Sequence, residues 1–263
     1  MFARKDIYRS LKKAGLKSGD NLLVKSDLRY LGEYHDQKNL CKDLFSVISE
    51  IINLKKGTLF VSTASTRLCN TKKIFNLRST KSERGVFSNF VLELKESIRS
   101  MHPFLSYTGI GKHAAYVCKN NTKHAYGPNS PKDRMLKIKT KYLSIGLPPQ
   151  LTCSYIHHVE MMMGVPYRYT KEFNSKVKIN NKIKNDLYYI YVNYLNSNLQ
   201  RDLNKKLFKY CEKKELKINK VNLGKGKIYF YDCNEFVNQS IEFLSKDIYG
   251  WCAKKPSNRP YQK

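Results

Sequence analysis

The chain has 263 residues, of which 41% are hydrophobic, and its 49 lysine and arginine residues outnumber 21 acidic residues to give a formal net charge of +28. This length supports one large domain with a hydrophobic core, and no apolar run reaches the length of about 18 residues that would predict a membrane span. The seven cysteines are scattered without a Cys-x-x-Cys pair, and no apolar leader segment stands at the N-terminus. We therefore expect a cytoplasmic protein with reduced thiols.

The positive charge favours anionic partners, which include nucleic acids, anionic membranes and phosphorylated small ligands. The basic residues are spread along the whole chain, without an arginine-rich block or a helix-turn-helix signature. The charge therefore does not by itself indicate a nucleic-acid-binding protein, and a solvated lysine-rich surface explains it equally well.

Helical patterns alternate with short apolar segments in the first part of the chain. Buried strands are predicted at Asn21–Lys25, Thr58–Ser62 and Tyr142–Ile145, and a helical pattern over Asn39–Asn53 separates the first two. Elements that alternate in this way predict a three-layer α/β/α sandwich.

After residue 172 the pattern changes to that of an α+β elaboration. Lys176–Lys184 alternates and predicts one strand, and Asn198–Lys214 predicts a helix. We therefore expect a core over residues 1–172 and a C-terminal elaboration over residues 173–263, packed together as one unit.

The most informative segment for function is Leu151–Arg168, LTCSYIHHVEMMMGVPYR, which follows the third predicted strand. His157 and Glu160 are three residues apart, so on a helix they lie on the same face. A carboxylate placed there accepts a hydrogen bond from the imidazole, fixes its tautomer and raises its basicity, as a general base requires. The spacing alone is also compatible with a structural histidine. A metal site is a further alternative, but the sequence shows no third ligand at a spacing typical of such sites.

Six further segments of the sequence are informative about function. They are Ala14–Gly32 (AGLKSGDNLLVKSDLRYLG), Gly57–Thr66 (GTLFVSTAST), Ser82–Phe90 (SERGVFSNF), Ile98–Ala114 (IRSMHPFLSYTGIGKHA), Tyr126–Leu136 (YGPNSPKDRML) and His157–Arg168 (HHVEMMMGVPYR). In this order they resemble the aminoglycoside 3-N-acetyltransferase family of acyl-coenzyme A (acyl-CoA)-dependent N-acyltransferases, whose fold differs from that of the GNAT acetyltransferases. Within that family they resemble the branch that acylates nucleotide-linked amino sugars for surface polysaccharides such as O-antigen.

The resemblance implies a mixed central sheet and a C-terminal region that completes the acceptor site. It also implies that the acceptor amine attacks the thioester of acyl-CoA directly, without a metal. His157 would act as the general base and Glu160 would orient it.

The resemblance assigns the acyl-CoA contacts to loops in which backbone N–H groups and hydroxyls meet pantetheine amides and phosphates. The residues assigned in this way are Lys25, Ser26, Asp27, Leu28, Arg29, Thr63, Ser65, Arg99, His102 and Ser130. Two loops differ in sequence from the pattern that is common in the family. Lys25-Ser26-Asp27 stands where His-Ser-Ser is common, and Ser62-Thr63-Ala64-Ser65 stands where Pro-Thr-Phe-Thr is common.

These observations predict an N-acyltransferase that moves an acyl group, in the simplest case acetyl, from acyl-CoA to the amine of a nucleotide-linked amino sugar. An aminoglycoside 3-N-acetyltransferase of the antibiotic-resistance type is the first alternative. Aminoglycosides are polycations, however, and a chain of net charge +28 is expected to bind a polycation poorly. A basic nucleic-acid-binding protein on an inactive acyltransferase fold is the second alternative.

Overall fold

The computed structural model describes residues 1–195, 198–202, 204–257 and 259, so the end of the predicted C-terminal elaboration lies outside the described residues. The described helices are α1 Arg4–Ala14, α2 Leu40–Ile52, α3 Val86–Glu93, α4 Ala114–Cys118, α5 Pro131–Lys137, α6 Pro149–Thr152, α7 Tyr155–Met162, α8 Lys205–Lys213 and α9 Cys233–Lys246. The described strands are β1 Asn21–Ser26, β2 Thr58–Ser62, β3 Phe75–Asn76, β4 Ile98–Arg99, β5 Tyr107–Gly111, β6 Lys141–Ile145, β7 Arg168–Ile179, β8 Lys182–Asn193, β9 Gln200–Arg201, β10 Asn219–Leu223, β11 Gly226–Asp232 and β12 Cys252–Lys254. None of the described helices has the length and apolar character needed to cross a membrane.

Seven strands form the central sheet in the order β10-β11-β6-β1-β2-β5-β4. β1 runs parallel to both β2 and β6, whereas the strands on either side of these three are antiparallel to their neighbours. The sheet is therefore mixed, as expected, and the three predicted buried strands are its central strands. Their nearly continuous apolar sequences are typical of strands that are covered on both faces.

Helices cover both faces of this sheet because successive strand residues point to opposite sides. On one face Leu22 and Val24 pack with α1, α2 and α3. On the other face Leu23 and Phe60 pack with α7, α8 and α9. This arrangement confirms the predicted three-layer α/β/α sandwich.

The region after residue 172 contributes to the central sheet. β10 and β11 extend the sheet beside β6, and α9 packs against β6 and β11. The remaining strands form a three-stranded sheet of β3, β7 and β8 and a pair of β9 and β12. The boundary expected at residue 172 falls inside β7.

The prediction of a single strand over Lys176–Lys184 is wrong, because the chain reverses at Asn180 and Asn181. Both residues adopt the left-handed backbone conformation, with φ of 46° and 63°. Asparagine tolerates this conformation better than most residues that carry a Cβ, and two such residues in a row form a tight hairpin turn. β7 and β8 therefore pair along their whole length.

The helix predicted over Asn198–Lys214 is shorter than expected and covers only Lys205–Lys213. The residues before it include β9, which pairs with β12. This pairing places Gln200–Arg201 beside a strand near the end of the described chain.

A close approach between two loops shapes the carboxyl end of the parallel strands. Gly146 follows β6 with a φ of +86°, and a Cβ at this position would lie 2.1 Å from the carbonyl oxygen of Asp27. Because only glycine fits there, the loop after β6 lies directly against the loop after β1. The short helix α6 follows, with the Thr152 hydroxyl 3.0 Å from that of Ser144 in β6, and α7 begins three residues later.

Candidate active site

Helix α7 places His157 and Glu160 one turn apart. Nδ1 of His157 lies 3.1 Å from Oε2 of Glu160, the contact that their spacing predicts. The Glu160 side chain is fully buried at 0% exposure, whereas the His157 side chain is 30% exposed. The pair therefore extends from the protein interior to the surface of a cavity.

Two neighbours compete for Nδ1 of His157. Nη2 of Arg168 lies 3.3 Å from it, but an arginine only donates, and this side chain already contacts Glu160 and the carbonyl oxygen of Tyr191. The Glu160 carboxylate only accepts and makes the shorter contact. This favours the tautomer with a proton on Nδ1, which leaves the lone pair of Nε2 free.

The protonation states of the pair suit a general base. Burial lowers the pKa of His157 to about 4, although the hydrogen bond and charge of Glu160 oppose this shift. The imidazole is therefore neutral at pH 7 and able to accept a proton. Burial alone would raise the pKa of Glu160, but the hydrogen bond from His157 and the charges of Arg201 and Arg168 outweigh it and hold the pKa below its ordinary value.

Two arginines and a tyrosine surround Glu160. Nε of Arg168 lies 2.8 Å from Oε2, and Nη2 of Arg201 forms an ion pair with Oε1. The Tyr167 hydroxyl donates to Oε1 at 3.3 Å and accepts from Nε1 of Trp251 at 2.9 Å. A buried carboxylate is costly unless it is paired and hydrogen-bonded, so these partners stabilise Glu160 and hold it in one orientation.

Sequence reasoning did not find these three partners of Glu160 or the tryptophan that donates to Tyr167. Tyr167 and Arg168 lie in the segment that was singled out, but beyond the Gly-Val-Pro stretch that follows α7, where helical spacing no longer predicts contacts. Arg201 is 41 residues from Glu160, and Trp251 is 84 residues from Tyr167. No local pattern marks either of them.

One cavity lies beside His157, and a second cavity shares Arg84 with it. One has a volume of about 330 Å³ and is lined by residues that include His157, Lys25 and Arg84. The other has a volume of about 450 Å³ and is lined by the predicted loop residues Ser26, Asp27, Leu28 and Arg29, and again by Arg84. The structure therefore brings the whole predicted loop after β1 to the site, and Arg84, which sequence reasoning did not single out, lies where the two cavities adjoin.

The hydroxyl-rich loop after β2 lines neither cavity at its two predicted contact residues. Thr63 is buried, and its hydroxyl lies 3.2 Å from that of Ser106 and 3.0 Å from that of Thr108. The Ser65 hydroxyl donates to the carbonyl oxygen of Pro103 at 2.7 Å. These hydroxyls hold the loop against the neighbouring segment, so they are not available to a ligand in either cavity.

Arg99 is also used within the fold. Its Nε donates to Oγ of Ser106 at 2.9 Å, and its Nη2 donates to the carbonyl oxygen of Thr63 at 2.6 Å. Burial lowers the pKa of Arg99 to about 10. This guanidinium ties the loop after β2 to β4 and lines neither cavity beside His157.

His102 and Ser130 have similar structural contacts. Nδ1 of His102 accepts a hydrogen bond from the backbone N–H of Leu105 at 3.2 Å. The Ser130 hydroxyl accepts from the backbone N–H of Asp133 at 3.3 Å and caps the start of α5. Both residues lie outside the two cavities, so the structure does not bring them to the predicted ligand.

The fold and the site define a class of protein. A mixed sheet between two helical layers carries, near the carboxyl ends of its parallel strands, a neutral histidine oriented by a buried carboxylate beside two cavities. This arrangement can accept a proton from a bound group. Among the residues that the structure describes, no group of three or more His, Cys, Asp or Glu side chains is placed to hold a metal ion.

The family model for aminoglycoside 3-N-acetyltransferase matches residues 23–245. The chain belongs to the aminoglycoside 3-N-acetyltransferase family, which confirms the family predicted from the ordered sequence stretches. The match does not distinguish a branch that acts on nucleotide-linked amino sugars.

Individual relatives agree with this family. Aminoglycoside N(3)-acetyltransferase III from Salmonella sp is 23% identical over 180 residues, which cover 63% of this chain and 63% of that protein. The chain therefore spans less than two thirds of the length of this curated relative. Among solved structures, the aminoglycoside acetyltransferase AAC(3)-Xa superposes with a TM-score of 0.81 at 15% identity over 93% of each chain. AAC-IIIb in its binary complex with CoASH superposes with a TM-score of 0.79 at 15% identity over 97% of this chain and 99% of that one. At these identities the structures establish the shared fold, which is not the GNAT fold.

Proposed function

We propose that this protein is an acyl-CoA-dependent N-acyltransferase in which His157 is the general base. The observation that carries this proposal is the neutral imidazole, held by the buried Glu160, on the wall of a cavity in a member of this family. Family membership supports acyl transfer to an amine, and a relative with the same fold is named as a complex with CoASH.

In the proposed reaction the acceptor nitrogen attacks the carbonyl carbon of the acyl thioester. A C–N bond forms, and the carbonyl oxygen takes the negative charge of the tetrahedral intermediate. Nε2 of His157 accepts the proton that the nitrogen loses, and Glu160 stabilises the imidazolium through Nδ1. The C–S bond then breaks, so that the products are the amide and the thiolate of CoA.

The cavity of about 450 Å³ is the proposed site for acyl-CoA. It is lined by the loop after β1, which includes the largely exposed Arg29, and by Arg84. Arginine side chains bind phosphate groups well, so Arg29 is the proposed contact for the polyanionic end of CoA. Because Arg84 also lines the His157 cavity, an acyl chain that enters from this side reaches the base.

The comparisons favour an aminoglycoside amine as the acceptor over the nucleotide-linked amino sugar that sequence analysis preferred. The family model and the relatives that match are named for aminoglycoside acetylation. A nucleotide-linked amino sugar remains the second candidate acceptor. Two observations favour it, the net charge of +28 and the absence of carboxylates among the described residues that line the His157 cavity.

The proposal is tested by offering acetyl-CoA with kanamycin or gentamicin, and separately with a dTDP- or UDP-linked amino sugar, while thiol release is followed. We expect His157→Ala to lower kcat by about 10²–10⁴-fold with little change in CoA binding. His35→Ala serves as a matched control because His35 is exposed on the surface away from both cavities. Full activity of His157→Ala, or no stabilisation of the protein by CoA in a thermal-shift measurement, would contradict the proposal.

A further inference from the structure

The His157 cavity is lined by two basic side chains and, among its described lining residues, by no carboxylate. Lys25 lies in β1, and Arg84 lies in the segment before α3. In the described part of the chain, neither head group has a hydrogen-bond or ion-pair partner. Two unpaired basic side chains therefore face the space into which the acceptor must bring its amine.

The nearest carboxylates are already occupied. Glu160 is fully buried and held by two arginines. In the neighbouring cavity, Glu83 accepts hydrogen bonds from Oγ1 of Thr66 at 2.7 Å and from the backbone N–H of Arg67 at 2.8 Å. Asp27 forms an ion pair with Arg29 at 2.6 Å. None of these three carboxylates lines the His157 cavity.

A third basic side chain lies behind the wall of the same cavity. Lys132 is completely buried, its Nζ donates to the carbonyl oxygen of Ser154, and it lies 4.6 Å from the ring centroid of Tyr126. Ser154 and Tyr126 both line the cavity. Burial and the charge of Lys25 hold the pKa of Lys132 well below its ordinary value, so this side chain supports the wall through its hydrogen bond and adds no full positive charge.

The unpaired state of Lys25 costs free energy. Burial and the charge of Arg84 lower the pKa of Lys25 to about 7, although the neighbouring Cys153 opposes the shift. The neutral form of Lys25 is therefore populated near pH 7 in the empty cavity, and an anion that binds beside it favours the charged form. The cavity is thus electrostatically complementary to a negative group and unfavourable for a second positive one.

We propose that Lys25 and Arg84 bind an anionic group, a carboxylate or a phosphate, that the acceptor carries close to its reacting amine. This inference rests on the proposed N-acyl transfer and names the class of acceptor. The phosphates of CoA are the other source of such an anion. In CoA, however, the pantetheine arm separates the phosphates from the thioester, so an anion site that shares a cavity with the base serves the acceptor.

The test compares glucosamine 6-phosphate with glucosamine as acceptors for acetyl-CoA, since the two differ only in the anionic group. We expect kcat/KM to be about 10-fold or more higher for the phosphorylated sugar, and Lys25→Met and Arg84→Met to remove that advantage. Lys25→Arg keeps the charge and should keep part of the preference. Lys112→Met is the control, because Lys112 is exposed and follows β5 at the opposite end of the sheet.

The outcomes separate this inference from the proposed function. Equal rates for the two sugars, or a Lys25→Met variant that raises the KM of acetyl-CoA instead of that of the acceptor, would overturn the anionic subsite. His157-dependent acetylation of kanamycin alone would leave the N-acyl transfer in place and overturn the anionic acceptor. If no amine is acetylated, a thermal shift with glucosamine 6-phosphate decides. Stabilisation that Lys25→Met abolishes supports the anion site without the reaction, and no stabilisation overturns it.

Discussion

Two charged clusters near His157 differ in how their charges are compensated. The buried carboxylate of Glu160 has two arginines and a tyrosine as partners, so its charge is fully compensated within the protein. Lys25 and Arg84 face the cavity without an anionic partner among the described residues. The first cluster is complete before any ligand binds and holds the base in position. The second cluster has no such partner within the described residues, so in the proposed reaction a ligand completes it and it selects the acceptor.

The largest effect is expected from Glu160→Gln, which breaks the complete cluster. It leaves Arg168 and Arg201 without their buried counter-charge, and breaking a buried ion pair in this way costs about 3–5 kcal/mol of unfolding free energy. The kcat should fall as well, because the imidazolium loses its stabilising charge. Urea unfolding and thiol-release kinetics measure the two effects.

The matched control for that variant is Glu242→Gln on α9. Glu242 is 43% exposed and pairs with Lys214 and Lys246 at 3.0 Å. Exposed ion pairs contribute little to stability, so this variant should be nearly as stable as the parent. Equal costs for the two glutamate variants would show that Glu160 is not part of a complete buried cluster.

A smaller effect is expected from Arg201→Met, which removes one of the two arginines. Loss of a hydrogen bond to a charged group should cost about 1.5–3 kcal/mol. The charge of Arg201 lowers the pKa of His157, so its removal should shift the acidic limb of the kcat/KM profile to higher pH. Arg4→Met, which breaks an exposed pair with Glu50, should leave that limb unchanged.

Three histidines should make the stability of the protein depend on pH, whether or not they take part in catalysis. Burial lowers the pKa of His102, His157 and His158 from 6.5 to about 4 in each case. Below pH 6.5 the unfolded chain binds protons that the native protein does not. Stability should therefore fall as the pH drops from 6.5 toward 4, by about 1.4 kcal/mol per pH unit for each histidine.

His158→Asn tests this interpretation. Nδ1 of His158 accepts a hydrogen bond from the backbone N–H of Gly127 at 3.2 Å, and the asparagine side chain keeps an acceptor there but does not titrate. Urea unfolding between pH 7 and pH 5 should show a shallower loss of stability than in the parent. An unchanged slope would mean that His158 does not titrate below its ordinary range. Activity at pH 7 should persist, because only His157 lines the cavity.

The smallest effect is expected from Tyr167→Phe. It removes one donor to Glu160 and leaves Nε1 of Trp251 without its acceptor, which should cost about 1 kcal/mol of unfolding free energy. The kcat should change little, because Arg168 and Arg201 still hold Glu160. Tyr8→Phe on the exposed side of α1 is the control for loss of a hydroxyl. A large loss of kcat would show that the hydroxyl, and not the arginines, positions Glu160.

Some parts of the site were within reach of sequence reasoning because they are local. The contact of His157 with Glu160 follows from helical spacing, and the loop over residues 25–29 follows a predicted strand. Thr63 and Ser65 illustrate the limit of this reasoning. Hydroxyls in a loop after a strand indicate either a ligand site or internal support, and only their contacts with Ser106 and Pro103 show that they support the loop.

The sequence by itself determined the central strands, the three-layer fold class, the family and the orientation of the His157–Glu160 pair, since each depends on spacing within one element or on ordered local stretches. Tertiary structure alone decided the partners of Glu160 and the meeting of Lys25 with Arg84 beside the base. Arg201 reaches Glu160 because β9 pairs with β12, and Arg84 faces Lys25 because the segment before α3 reaches the carboxyl end of β1. Such contacts depend on how elements that are distant in the sequence pack together. The burial and charge of each group then determine whether it needs a partner that the protein does not supply.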